Sequence, residues 1–111
     1  MNVYDTANRL SQEIKTSEEY VNYKKAKEYI DLKPELKEKI MNFQKLRYEA
    51  QISAMQEGKE NQEKIEKAQQ LYAELIQNPE VKKYFDTELS FNIMLADVNK
   101  IISEAVEDVI K

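Results

Sequence analysis

Apolar residues recur along this chain in alternating steps of three and four. That is the spacing of one face of an α-helix. The first stripe is Val3, Ala7, Leu10 and Ile14. Asn2 is placed to cap its start, with Asp5 near the positive helix end. Thr16-Ser17-Glu18-Glu19 then restarts the pattern, with Thr16 as N-cap and Glu19 closing a capping box. Tyr20, Tyr23, Ala26 or Lys27, and Ile30 form the second stripe. Pro34 opens a third helix, because a first turn leaves the missing N–H unpaired in any case. Leu36, Ile40, Phe43, Arg47, Ala50 and Ala54 carry that helix to about Glu57, a rise of about 35 Å. Leu46, Ile52 and Met55 widen or leave its seam.

Gly58 is the natural stop, since glycine readily adopts the left-handed conformation that ends helices. The pattern resumes near Glu60 with Ile65, Ala68, Tyr72, Leu75 and Ile76. A tight turn between two long amphipathic helices predicts an antiparallel hairpin. Asn78-Pro79 opens the last segment, with Asn78 as N-cap. Val81, Phe85 and Leu89 drift off the later seam, and Asp86-Thr87 either kinks the helix or lies within a straight one. The stretch from Phe91 to Val109 is the most apolar of all. Phe91, Leu95, Val98, Ile102, Ala105 and Val109 form its seam, broadened by Met94, Ile101 and Val106. This helix is expected to be central, with Phe91 and Val98 buried. The fold class is all-α: a helical bundle with a long antiparallel helical hairpin and a long C-terminal helix, as a single domain over residues 1–111. Pro34 and Pro79 sit in similar surroundings forty-five residues apart, which shared helix-start chemistry explains without a repeat.

Composition narrows the function classes. One Gly and two Pro are too few for a turn-rich β-fold. The net charge is −4, and residues 79–111 hold seven acids against four lysines, so −3 of it lies there. No nucleic-acid partner is expected from such a balance. Lys24, Lys25 and Lys27 form the one basic cluster, and Glu28 and Asp31 follow it on the same helix, as on a solvated face. There is no Cys and no His, which removes thiol chemistry, thiolate ligands and the commonest general base. A single Gly excludes a glycine-rich phosphate loop. Neither enzyme activity, nor a metal, nor a cofactor is expected. The longest apolar run, Ile93 to Ala96, is too short to enter a bilayer as a span. Met1 to Asp5 lacks the basic and apolar regions of a signal peptide, so a cytoplasmic location is expected.

The residues left to carry function are few. Asn92 and Asn99 lie seven apart beside the last seam, where they either bond to neighbouring helix ends or water, or set the register of a helix–helix contact. Tyr20 and Tyr23 read first as a core edge. With Lys24, Lys25 and Lys27 they also define the alternative function, a small-molecule or RNA binder built on the second helix. Ile52 and Met55 cannot share the hairpin seam, because one residue turns a helix by about 100°. At least one of them should be exposed at the tip, beside Ile65 or Ala68. Such a patch predicts a homodimer or higher oligomer with Ile52, Met55 and Ile65 at or near the contact.

At Asn78-Pro79-Glu80-Val81-Lys82-Lys83-Tyr84-Phe85 and at Asp97-Val98-Asn99-Lys100-Ile101-Ile102, the chain resembles the YlbF/YmcA-like family of small bacterial helical proteins. It looks most like the YheA-like branch, typical of Gram-positive bacteria. Val3-Tyr4-Asp5, Ser17-Glu18-Glu19-Tyr20 and the Gly58 hairpin extend the likeness over nearly the whole chain. The resemblance implies an all-α fold with a long hairpin, and self- or hetero-association. It also implies a non-enzymatic regulator. Better-studied members join complexes that influence a membrane-tethered ribonuclease, mRNA maturation, competence, sporulation and biofilm formation. Some of them hold iron–sulfur clusters on cysteines, and that feature cannot pass to a chain without Cys. The function expected here is a homo-oligomeric, non-enzymatic interaction module that docks on another regulatory protein.

Overall fold

The computed structural model describes residues 2–110 and is all-helical across them. The helices are α1 (Val3–Thr16), α2 (Glu18–Asp31), α3 (Pro34–Glu57), α4 (Gln62–Leu75), α5 (Pro79–Ala105) and α6 (Glu107–Ile110). The chain packs as two compact units. One is Glu28–Lys83; the other joins the residues up to Lys27 with those from Tyr84 onward. The divisions fall inside α2 and α5.

Side-chain caps set most of the helix starts. The Asn2 side chain accepts from the Asp5 N–H at 2.9 Å, Asn61 from Lys64 at 3.2 Å, and Asn78 from Glu80 at 2.9 Å. The start of α2 differs from the sequence expectation by one residue. Ser17 is the capping residue and its Oγ accepts from the Tyr20 N–H at 3.2 Å. Thr16 instead turns its hydroxyl back onto the Gln12 carbonyl of α1 at 3.1 Å. Both residues can cap; Thr16 is still inside the preceding helix, so only Ser17 has the extended backbone a cap needs. Gly58 ends α3 with φ of 71°, the left-handed conformation expected of it. α4 starts at Gln62, slightly later than the pattern suggested.

The contiguous unit is the hairpin of α3 and α4 with the end of α2 and the start of α5. Its buried apolar side chains are Ile30, Ile40, Phe43, Ala50, Ala68, Leu75 and Val81. Val81, which looked like a drifting position, is the most deeply buried, with no exposed surface. In the other unit Ala26, Tyr84 and Phe85 are buried. α5 is unbroken at Asp86-Thr87, where the Thr87 hydroxyl donates to the Tyr84 carbonyl at 3.1 Å.

The expectation that Phe91 and Val98 are buried needs correcting: both are half-buried. From Ile101 onward every described residue is exposed, with Ile101 at 68%, Ile102 at 52% and Val109 at 82%. Three-and-four spacing identifies which side of a helix avoids water. It does not say that the same chain covers that side along its whole length.

Candidate functional site

One hollow lies along one side of the hairpin. Phe43, Arg47, Ala50 and Ala54 share a face of α3, and Ile65, Ala68 and Tyr72 share the facing side of α4. Alanine at 50, 54 and 68 leaves the floor low, and the trough has a volume of about 390 Å³. Bulk is concentrated at one end, where the Phe43 and Tyr72 rings sit 5.5 Å apart. The Arg47 guanidinium lies 5.4 Å from the Phe43 ring centre, within cation–π range. At the tip end stands the Glu60 carboxylate, 3.5 Å from the Gln62 side-chain amide. The trough is mainly apolar, with the amides of Gln51 and Gln69 also on its lining, a cation toward one end and an anion at the other.

The three residues expected at a contact are spread around this hairpin. Ile65 lines the trough. Ile52 is half-buried in a different hollow, among Tyr48, Ser53, Gln56 and Lys64. Met55 is 79% exposed near the tip. Sequence reading passed over Arg47 and Glu60. The signal for Arg47 was present, as the one charged residue on an otherwise apolar seam.

The other unit holds two features. The first is a knot of rings on α2 and α5. Tyr23 lies 5.8 Å from Tyr84 and 5.3 Å from Phe91, and Tyr20 lies 6.1 Å from Phe91. The Tyr23 hydroxyl donates to Glu88 Oε2 at 3.4 Å. Burial, with help from Tyr84 and Glu88, pushes the Tyr23 phenol above its ordinary pKa. These rings face one another, while Lys24, Lys25 and Lys27 are exposed and Lys24 Nζ stands 6.0 Å from the Tyr20 ring. The second feature is an open apolar hollow of about 650 Å³ where Val3, Ala7 and Leu10 of α1 meet Ile102 of α5. Val3 is 80% exposed. Asn92 and Asn99 both lie exposed on α5.

Among the described residues no group of three or more His, Cys, Asp or Glu is placed to hold a metal ion. No helix among them is long and apolar enough to cross a membrane. The geometry leaves apolar side chains of amphipathic helices uncovered, Val3, Met55, Ile101 and Ile102 among them.

Comparison with known proteins gives the chain a family. The family described as "Control of competence regulator ComK, YlbF/YmcA" matches residues 3–107. The chain belongs to the YlbF/YmcA family. A UPF0342 protein of Caldicellulosiruptor saccharolyticus is 36% identical over 106 residues, covering 96% of this chain and 88% of the relative. One from Symbiobacterium thermophilum is 36% identical over 105 residues, covering 95% and 94%. A third, from Alkalihalophilus pseudofirmus, is 36% identical over 109 residues, covering 97% and 92%. No solved structure matches the chain significantly.

Proposed function

We propose that this protein is a regulatory interaction module with no catalysis of its own, which acts in the cytoplasm by docking helices. It associates with its own copies and with a regulatory partner protein, in the control of competence or a related programme. The carrying observation is the uncovered seam of α5. Ile101 and Ile102 continue an apolar face of α5 that the chain itself stops covering. The match to a family described by control of a competence regulator supports a regulatory reading. The chain contributes no His or Cys with which to do acid–base or thiol chemistry. Nothing in the ring cluster favours the small-molecule or RNA reading, since Tyr20 and Tyr23 spend their faces on Phe91 and Tyr84.

Sedimentation of the wild-type chain over a wide concentration range, with pull-down from the native cytoplasm, tests this. The expected results are a dimer or larger species and a co-purifying regulatory protein that Ile102→Glu releases. A chain that stays monomeric at high concentration removes self-association from the reading. Tight RNA binding that weakens with salt would replace the whole reading.

A further inference from the structure

We infer that the hairpin trough is the seat of a second copy of the same trough, laid antiparallel across a two-fold axis. The inference rests on the self-association proposed above and specifies its surface and orientation. A two-fold contact brings the same patch from both chains together, so residue i of one meets residue j of the other and the reverse. Such a patch has to be complementary to itself when turned end for end. The trough has that property in charge and in shape.

Charge comes first. Arg47 stands at one end of the trough and Glu60 at the other. Turned end for end, each Arg47 comes beside the Glu60 of the second copy, and the pairing occurs twice. Arg47 makes no ion pair with a carboxylate of its own chain among the described residues; its recorded neighbour is the Phe43 ring at 5.4 Å. Glu60 has only the neutral Gln62 amide, at 3.5 Å. Both charges are thus open to a partner. A parallel arrangement would set Arg47 against Arg47 and Glu60 against Glu60, and like charges in contact reject that alternative.

Shape follows the same rule. The large rings, Phe43 and Tyr72, are at the Arg47 end, and the lower ground around Ala54 and Ile65 is at the Glu60 end. In the antiparallel arrangement the rings of one copy lie over the low end of the other. Alanine at 50 and 68, near the middle, allows two helix pairs to approach closely at the axis. The result is a four-helix contact made by two α3–α4 hairpins.

The test uses exposed residues and two independent readouts. Arg47→Glu and Glu60→Arg are made singly, together and mixed, with circular dichroism confirming that each variant stays helical. Each single variant places like charges together twice and is expected to weaken self-association about tenfold or more. The double variant restores the pairing with its signs exchanged. The decisive sample is a mixture of the two single variants, which should form the mixed dimer although each alone is weakened. The native chain has no Cys, so Arg47→Cys and Glu60→Cys give a clean background for a short thiol cross-linker. Cross-links are expected in the mixture of these two and not in either alone. If the wild type self-associates while the charge variants sediment unchanged and no mixed cross-link forms, the trough is not the contact and the broader reading stands. If the wild type stays monomeric throughout, both the self-association and this inference fall.

Discussion

Val81 has no exposed surface, and it lies outside the most apolar stretch of the sequence. Val81→Ala is expected to cost about 2 kcal/mol, as a truncation that leaves a cavity with no access to water. Phe91→Ala should cost about 2–3 kcal/mol, below the range of about 3–5 for a fully enclosed ring, because the side chain is half-buried against Tyr20 and Tyr23. Denaturant melts of the two variants check both values. A near-zero change for Val81→Ala would show that its site relaxes around the loss. Tyr23 carries a pH dependence. Its phenol sits above the ordinary value of 10.0 in the folded chain because burial disfavours the phenolate. The contribution is therefore complete below about pH 10 and is lost as pH rises, since the unfolded chain sheds that proton first. Wild type should lose more stability than Tyr23→Phe between about pH 9 and about pH 11. Equal losses would show that Tyr23 does not titrate differently in the two states.

At the scale of elements, the caps and breaks can be weighed one by one. Ser17→Ala should cost about 1 kcal/mol through loss of the Tyr20 N–H bond, and Thr16→Ala should cost less, because only Ser17 occupies the cap. The reverse order would return the cap to Thr16. Gly58→Ala should cost about 1–2 kcal/mol from the left-handed backbone alone, since a side-chain carbon there meets nothing within 4 Å. These features also show how far a sequence can be read. Asn2, Pro34, Gly58 and Asn78-Pro79 act through their own backbone chemistry, so their helix boundaries were legible without any fold. The α3–α4 hairpin followed from the single glycine between two long stripes. Burial was harder. Phe91 and Val81 are both apolar and both on helix-spaced positions, and what separates them is which neighbouring helix arrives, a long-range fact absent from local spacing. The trough was less legible still, because Arg47 and Glu60 become one site only when α4 folds back beside α3.

Over the whole molecule, the apolar surface is divided unequally between the two units. The hairpin unit encloses Ile30, Ile40, Leu75 and Val81, whereas the other leaves Val3, Ile101, Ile102 and Val109 open to water. Ile102→Glu is therefore expected to change the melting temperature by no more than a few degrees while lowering association with a partner. A large loss of helicity instead would mean that Ile102 supports the fold of the free chain. Ile52→Glu with Met55→Glu tests the tip in the same way by sedimentation. A shift toward monomer with helicity retained places the tip at a contact, and an unchanged profile removes it.

The two units also differ in when they can be completed. Glu28–Lys83 is one unbroken stretch, whereas the other unit needs residues from both sides of it. During synthesis the hairpin unit has all its parts once Lys83 has left the ribosome. α1 and most of α2, made earlier, must wait until the chain beyond Tyr84 emerges. Domains generally form as units in the order they are made, and long sequence separation slows closure. α1 and most of α2 are thus joined to their unit later than the hairpin unit forms, although they are made before it. For that interval Tyr20 and Tyr23 lack the Phe91 and Tyr84 rings they pack against in the finished fold, and the nascent chain is then most exposed to chaperones and proteases.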